Sequence, residues 1–170
     1  MTKSIITQSE LKYQLHYNPE TGIFTRLNIK KYSHAKIGDV AGSLDNGTGY
    51  IRIMFNHKLY QAHRLAWFYV TGMMPINQID HINGIKTDNR FINLREANNA
   101  ENKRNSGLNA SNKTGFKGVS FKKETSKFVA QAKLNGKKIH IGYFDTAELA
   151  SEAYQLFAMR NHGDFYKKSA

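Results

Sequence analysis

The chain has 170 residues, with 25 lysines and arginines against 13 aspartates and glutamates, a formal net charge of +12. Hydrophobic residues make up 40% and aromatic residues 12%, a globular composition that fits one ordinary domain or two small ones. The absence of cysteine excludes a disulfide scaffold, a thiolate zinc site and a cysteine nucleophile. No apolar run approaches the ~20 residues of a membrane helix, and the N-terminus has no secretory apolar core, so a cytoplasmic protein is expected.

The basic balance points to a polyanionic partner. An acidic membrane surface would also attract it, but no long basic amphipathic helix with a bulky apolar face is present, which favours nucleic acid. Residues 1–70 carry nine basic and four acidic groups, residues 71–110 five and four, and residues 111–170 eleven and five. The middle is nearly neutral and rich in Asp, Asn and His, which suits holding a cation. Its flanks suit holding phosphates.

Residues 12–60 read as short strands and turns, punctuated by Gly22, Gly38, Gly42, Gly47 and Gly49. Within Tyr50–Phe55, Ile51, Ile53 and Phe55 alternate with Arg52 and Met54, as in a half-buried strand. A helix is predicted from about His63 to Val70, stopped by Gly72 and Pro75.

From Asn105 to Thr114 the sequence is small, polar and without period, a linker pattern. Beyond it, Phe128, Ala130, Ala132 and Leu134 alternate with Lys127, Val129, Gln131 and Lys133. Asn135-Gly136 then signals a hairpin, with a return strand from Lys137 to Tyr143 that puts Ile139, Ile141 and Tyr143 on one face. Asp145-Thr-Ala-Glu148 resembles a capping box. The helix that follows should run to about Asn161, bury Leu149, Ala150, Ala153, Tyr154, Phe157 and Ala158, and end at Gly163.

The chemistry-bearing stretch is Ile79-Asp80-His81-Ile82-Asn83-Gly84, then Asp88-Asn89-Arg90, Asn93-Leu94-Arg95 and Glu101-Asn102. Phosphodiester hydrolysis needs an attacking water, a base and positive charge at the phosphate. An imidazole with a pKa near 6.5 suits the base, which points to His81. A hard divalent cation suits the charge and prefers oxygen ligands such as Asp80 and an Asn carbonyl. Neighbours on a regular strand point to opposite faces, so Asp80 and His81 share a site only if the strand ends or bends there. Gly84 permits an early turn. Asn98, Asn99, Asn102 and Asn105 fall on one short helix, which leaves the second ligand open.

Together with His63-Arg64-Leu65-Ala66-Trp67 and Glu101-Asn102-Lys103-Arg104-Asn105, these motifs make residues 63–105 similar to the HNH endonucleases of phages and mobile introns. That resemblance implies a strand–strand–helix metal finger, with His81 as general base and Asp80 and Asn102 as metal ligands. Asn93 would brace the loop, either orienting His81 or capping a helix. One magnesium or manganese ion per site follows, and no zinc, because the cysteine pairs of some relatives are absent. His63 is either packed structure or a phosphate contact. Arg64, Arg90 and Arg95 are either DNA-backbone clamps or salt bridges of the fold.

Residues 113–163 are similar to the AP2 DNA-binding domain. The resemblance rests on Gly115-Phe-Lys-Gly-Val-Ser-Phe, Lys127-Phe-Val-Ala-Gln-Ala-Lys, Asn135-Gly-Lys-Lys-Ile-His-Ile-Gly-Tyr-Phe and Ala153-Tyr154. It implies a three-stranded sheet lying in the major groove with a helix on its far side. DNA contacts would come from Lys117, Lys122, Lys127, Gln131, Lys133, Lys138 and His140. Lysines stand where relatives carry arginines, and a lysine holds phosphate as a point charge without bidentate guanine reading.

The expected architecture is α+β: a β-rich segment (1–60), an HNH finger (61–106), a linker (107–114) and an AP2-like sheet with one helix (115–166). The expected function is metal-dependent nicking of double-stranded DNA in a bacterial or phage-infected cell, by a monomer or weak dimer without a membrane partner. The alternative is a non-catalytic DNA-binding regulator with a degenerate finger.

Overall fold

A computed structural model describes residues 6–29, 34–105, 107–109 and 111–162. The fold is α+β and divides into two compact units, Met1–Asn98 and Asn99–Ala170. No helix among the described residues is long and apolar enough to cross a membrane.

The first unit opens with α1 (Gln8–Gln14), started by a reciprocal cap in which the Glu10 amide donates to Thr7 Oγ1 and the Thr7 amide to Glu10 Oε2. An antiparallel hairpin of β1 (Leu15–Asn18) and β2 (Ile23–Arg26) follows. Three more strands, β3 (Ser43–Asp45), β4 (Tyr50–Phe55) and β5 (Lys58–Gln61), form an antiparallel sheet in that order. On β4, Ile53 and Phe55 are buried and Met54 is exposed, as the alternation requires.

Helix α2 (Ala62–Thr71) stops at Gly72, whose φ of 77° and amide bond to the Phe68 carbonyl (2.9 Å) make a left-handed cap. Strands β6 (Gln78–His81) and β7 (Leu94–Ala97) then pair antiparallel. One core gathers Leu11, Leu15, Tyr17, Phe24, Ile53, Phe55, Leu65, Phe68, Ile79 and Leu94. Leu11, Leu15, Tyr17, Phe24, Ile53 and Phe55 thus share one core with Ile79 of β6 and Leu94 of β7.

The second unit begins with α3 (Asn99–Asn105), which leaves Asn98 just ahead of the helix rather than on it. Strands β8 (Val119–Lys122), β9 (Lys127–Leu134) and β10 (Lys137–Phe144) form an antiparallel sheet in the order β10-β9-β8, and α4 (Ala147–His162) packs on it. Asn135 (φ 49°) and Gly136 (φ 80°) turn the β9–β10 hairpin with the two positive φ values that a type I′ turn needs. Ala150, Tyr154 and Ala158 form the buried ridge of α4 against Val119, Ala130 and Ala132.

Four details of this unit differ from the sequence expectation. The register shifts between His140 and Gly142, so Tyr143 turns outward (49% exposed) and Phe144 takes the core-facing place. Val129, expected on the solvated face, is buried opposite Tyr143. Leu149 is half exposed, because the small residues Ala150 and Ala158 set the buried line of the helix. The helix is capped by Thr146, whose Oγ1 accepts the Leu149 amide (3.3 Å), while Asp145 pairs with Lys127 instead. The expected stop at Gly163 lies outside the described residues.

Candidate functional site

His81 is the last residue of β6, and the chain turns at once. The Gly84 amide donates to the His81 carbonyl (2.8 Å) with Gly84 at φ 72°, so the strand ends where a shared site for Asp80 and His81 requires it. Both residues are buried. Asp80 lies opposite Arg95 in the β6–β7 register, and its Oδ2 accepts from Arg95 Nε (2.9 Å) and Nη2 (2.8 Å).

The His81 ring sits beside His63 of α2 (centroids 4.9 Å apart, near-perpendicular) and Tyr50 of β4 (5.9 Å). Its Nε2 is 3.1 Å from Asn89 Oδ1. Burial pushes the His81 pKa below the ordinary imidazole value, against an opposing pull from the Asn89 hydrogen bond and the charges of Asp80 and Asp88. The ring is thus held neutral near pH 7, the form that can accept a proton.

The loop between the strands is tied together by polar side chains. Asn93, at the end of a single 3₁₀ turn (Phe91–Asn93), accepts the Asn83 amide at Oδ1 (2.9 Å). Its Nδ2 donates to Asn83 Oδ1 (3.0 Å) and to the Asp88 carbonyl (2.8 Å). These bonds tie Asn93 to the loop and not to a helix cap, since α3 begins only at Asn99. Asp88 accepts from Asn83 Nδ2 and from Arg90 Nε and Nη2, and the Arg90 guanidinium lowers its pKa to about 2.

Lys86 reaches back to the Thr48 carbonyl (2.8 Å) and lies over the Tyr50 ring. His63 is 3% exposed, its Nδ1 has no hydrogen-bond partner among the described residues, and burial drives its pKa down to about 3. Arg64 donates to the Asn77 and Pro75 carbonyls and ties α2 to the approach of β6.

Sequence reasoning missed Asn89 and Asn83 as partners of His81 and Asn93. Both stand in motifs already singled out, Asp88-Asn89-Arg90 and Ile82-Asn83-Gly84, so the signal was present but not the pairing. Tyr50 carried none.

Residues 60–104 match the HNH endonuclease family. This segment is an HNH endonuclease domain. It begins in β5 and takes in α2 and the β6–β7 ribbon, so its match coincides with the elements that frame His81. No curated protein and no solved structure matches the chain.

HNH nucleases generally use divalent cations, and the donors fit a hard one. Asp80 offers a carboxylate, and there is no cysteine for a soft metal. Among the described residues no three His, Asp or Glu side chains cluster as a metal cage.

The remaining candidates lie in the second unit. Asn102 is a half-buried residue of α3. Lys117 donates to the Arg104 carbonyl, and Lys127 pairs with Asp145. On the sheet face away from α4, Lys138 lies opposite Lys133, and His140 opposite Gln131. Lys122 reaches the Tyr143 ring at 5.8 Å. Lys122, Lys133, Lys138 and His140 are exposed.

Proposed function

We propose that the chain is a metal-dependent endonuclease of double-stranded DNA, with His81 as general base. The observation that carries this reading is the buried imidazole of His81 at the end of β6, next to Asp80 and inside the HNH segment. Water attacks the scissile phosphorus, its proton passes to the His81 ring, and the bond from phosphorus to the leaving sugar oxygen breaks.

Asp80 would hold a magnesium or manganese ion, which when bound supplies positive charge to the phosphate. The resemblance further assigns Asn102 as a ligand. Asn93 keeps the loop in shape around His81. Lys122, Lys133, Lys138, Gln131 and His140 offer the AP2-like sheet face to DNA, where lysines grip phosphate without reading bases. With one base per chain, a monomer cuts one strand per engagement, so nicked circles are the expected product.

The Arg95 guanidinium on Asp80 favours a second reading, a DNA-binding regulator in which arginine stands in for the metal. Supercoiled plasmid incubated with magnesium, with and without EDTA, separates the two. The wild type should nick only with free magnesium, while His81→Ala binds DNA and leaves it intact. Equal cleavage by both proteins removes His81 from the mechanism.

A further inference from the structure

Lys86 stands in the loop between β6 and β7, in a turn whose backbone is fixed on both sides. The Ile85 amide donates to Asn83 Oδ1 (2.8 Å), and the Asp88 amide to the Ile85 carbonyl (3.0 Å). From this turn the Lys86 side chain reaches the β3–β4 hairpin. Its Nζ donates to the Thr48 carbonyl (2.8 Å) and lies 4.9 Å from the centre of the Tyr50 ring. Its stem passes Gly49, where an added Cβ would sit 3.4 Å from Lys86 Cδ. An exposed, flexible side chain is thus held at its tip, over a ring and along its stem.

The charge placed there is not neutralised within the fold. Arg90 pairs with Asp88, Arg95 with Asp80, and Arg52 of β4 with Asp45. Arg64 is spent on the Asn77 and Pro75 carbonyls. Among the described residues no carboxylate pairs with Lys86. One of its N–H groups meets Thr48, and the others are left for a ligand. An exposed ammonium with spare donors suits an anion, and it holds a phosphate as a point charge. Tyr50, the ring beneath Lys86, also borders His81, with centroids 5.9 Å apart. A strand whose scissile phosphate lay at His81 would therefore bring a neighbouring phosphate to Lys86.

We infer that Lys86, backed by Tyr50 and Thr48, clamps a DNA phosphate flanking the cut. It is a positioning residue that holds the strand and takes no part in breaking the bond. The inference rests on the nuclease reading for where the cut lies, and only on DNA binding for the contact itself. Thr48 and Tyr50 precede the matched segment 60–104, so the DNA-holding surface continues from the HNH domain onto the β3–β4 hairpin. If Lys86 served only to pin that hairpin, loss of its charge would lower stability and leave DNA binding alone.

The test uses the full chain. Lys86→Met keeps an apolar stem along Gly49 and Tyr50 and loses the charge, whereas Lys86→Arg keeps the charge. Binding of a duplex of about 30 base pairs is followed across salt in EDTA, where each lysine on a phosphate adds about 0.9 to the slope of log K against log salt. Lys86→Met should bind several-fold more weakly with the slope reduced by about that amount, and Lys86→Arg should restore both. On a duplex carrying the nick site mapped on plasmid, Lys86→Met should raise KM and leave kcat unchanged. A neutral methylphosphonate, placed in turn at each phosphate flanking the nick, should weaken the wild type at one position where Lys86→Met is indifferent. In the wild type, bound duplex should also shield the Lys86 amine from acylation.

An unchanged salt slope in a folded Lys86→Met overturns the inference. So does a Lys86 amine acylated as fast in the complex as in the free protein, whether or not the variant folds. A fall in kcat at unchanged KM would put Lys86 in the chemical step and overturn the flanking contact. If the wild type binds the duplex but never nicks DNA, the nuclease reading fails, while a reduced slope in Lys86→Met still upholds the phosphate contact.

Discussion

Arg95 faces Asp80 directly across the β6–β7 ribbon, and two of its N–H groups converge on a single carboxylate oxygen. The two side chains are only 15% and 7% exposed, so the charges are largely desolvated. Arg95→Ala takes the guanidinium from a buried carboxylate, which typically costs about 3 kcal/mol. Urea denaturation should show that loss. Magnesium should restore part of it in Arg95→Ala while moving the wild type little, because a cation at Asp80 replaces the missing charge. A variant that magnesium does not stabilise removes Asp80 from the metal site.

The turn of the β1–β2 hairpin makes a backbone prediction. Gly22 combines a positive φ with contact against the Asn89–Arg90 peptide, so Gly22→Ala meets both a conformational penalty and a steric overlap. A loss of about 2 kcal/mol or more is expected, read as a lower urea midpoint. The same substitution at Gly38, which has φ 90° but nothing within 4 Å of its Cβ, should cost only the conformational part. Equal losses at the two positions would show that the contact with Asn89 contributes nothing.

Much of this architecture was legible because it is written locally. Asn135-Gly136 dictates its turn, Gly72 its helix stop, and the alternation along Tyr50–Phe55 its buried face. The Asp80-His81 pair and Asn93 stood out in the sequence by residue type, while their places in the ribbon and its loop come from the fold. The errors arose where one residue changes a register. The bulge at His140–Gly142 exchanges Tyr143 for Phe144, and the strand glycine at 142 was its only local sign. The contacts that join Tyr17 to the Asn89 carbonyl and the Asn89 side chain to His81 were not legible at all. They depend on a loop conformation fixed by Asn83, Asp88 and Asn93, and on a partner far away in sequence.

The buried His63 predicts how stability varies with pH. In the unfolded chain this imidazole titrates near 6.5, and in the folded protein it is pushed down to about 3 by burial, with the charges of His81 and Arg64 adding to it. Protonation therefore favours unfolding. The full contribution is present above pH ~6.5 and is lost as pH falls toward 3, by up to ~1.4 kcal/mol per pH unit. His81, lowered for the same main reason, adds to the slope. Urea midpoints measured from neutral to mildly acidic pH should fall steeply in the wild type and less steeply in His63→Leu. Parallel curves would mean that His63 is not held neutral by the fold.

Lys133 and Lys138 oppose each other across β9 and β10, a like-charged cross-strand pair that costs the sheet a few tenths of a kcal/mol. Both are exposed, so the arrangement is self-repelling unless a polyanion lies over it. Lys133→Gln should therefore raise the thermal midpoint of the free protein slightly while weakening its hold on DNA. If each lysine neutralises one phosphate, each removal reduces the slope of log K against log salt by about 0.9, and the double variant by about twice that. The loss should be uniform across DNA sequences, because a lysine on phosphate carries no base information. An unchanged salt slope in the double variant would move the DNA contact off this face of the sheet, and the stability gain alone would then mark the pair as an uncompensated surface repulsion.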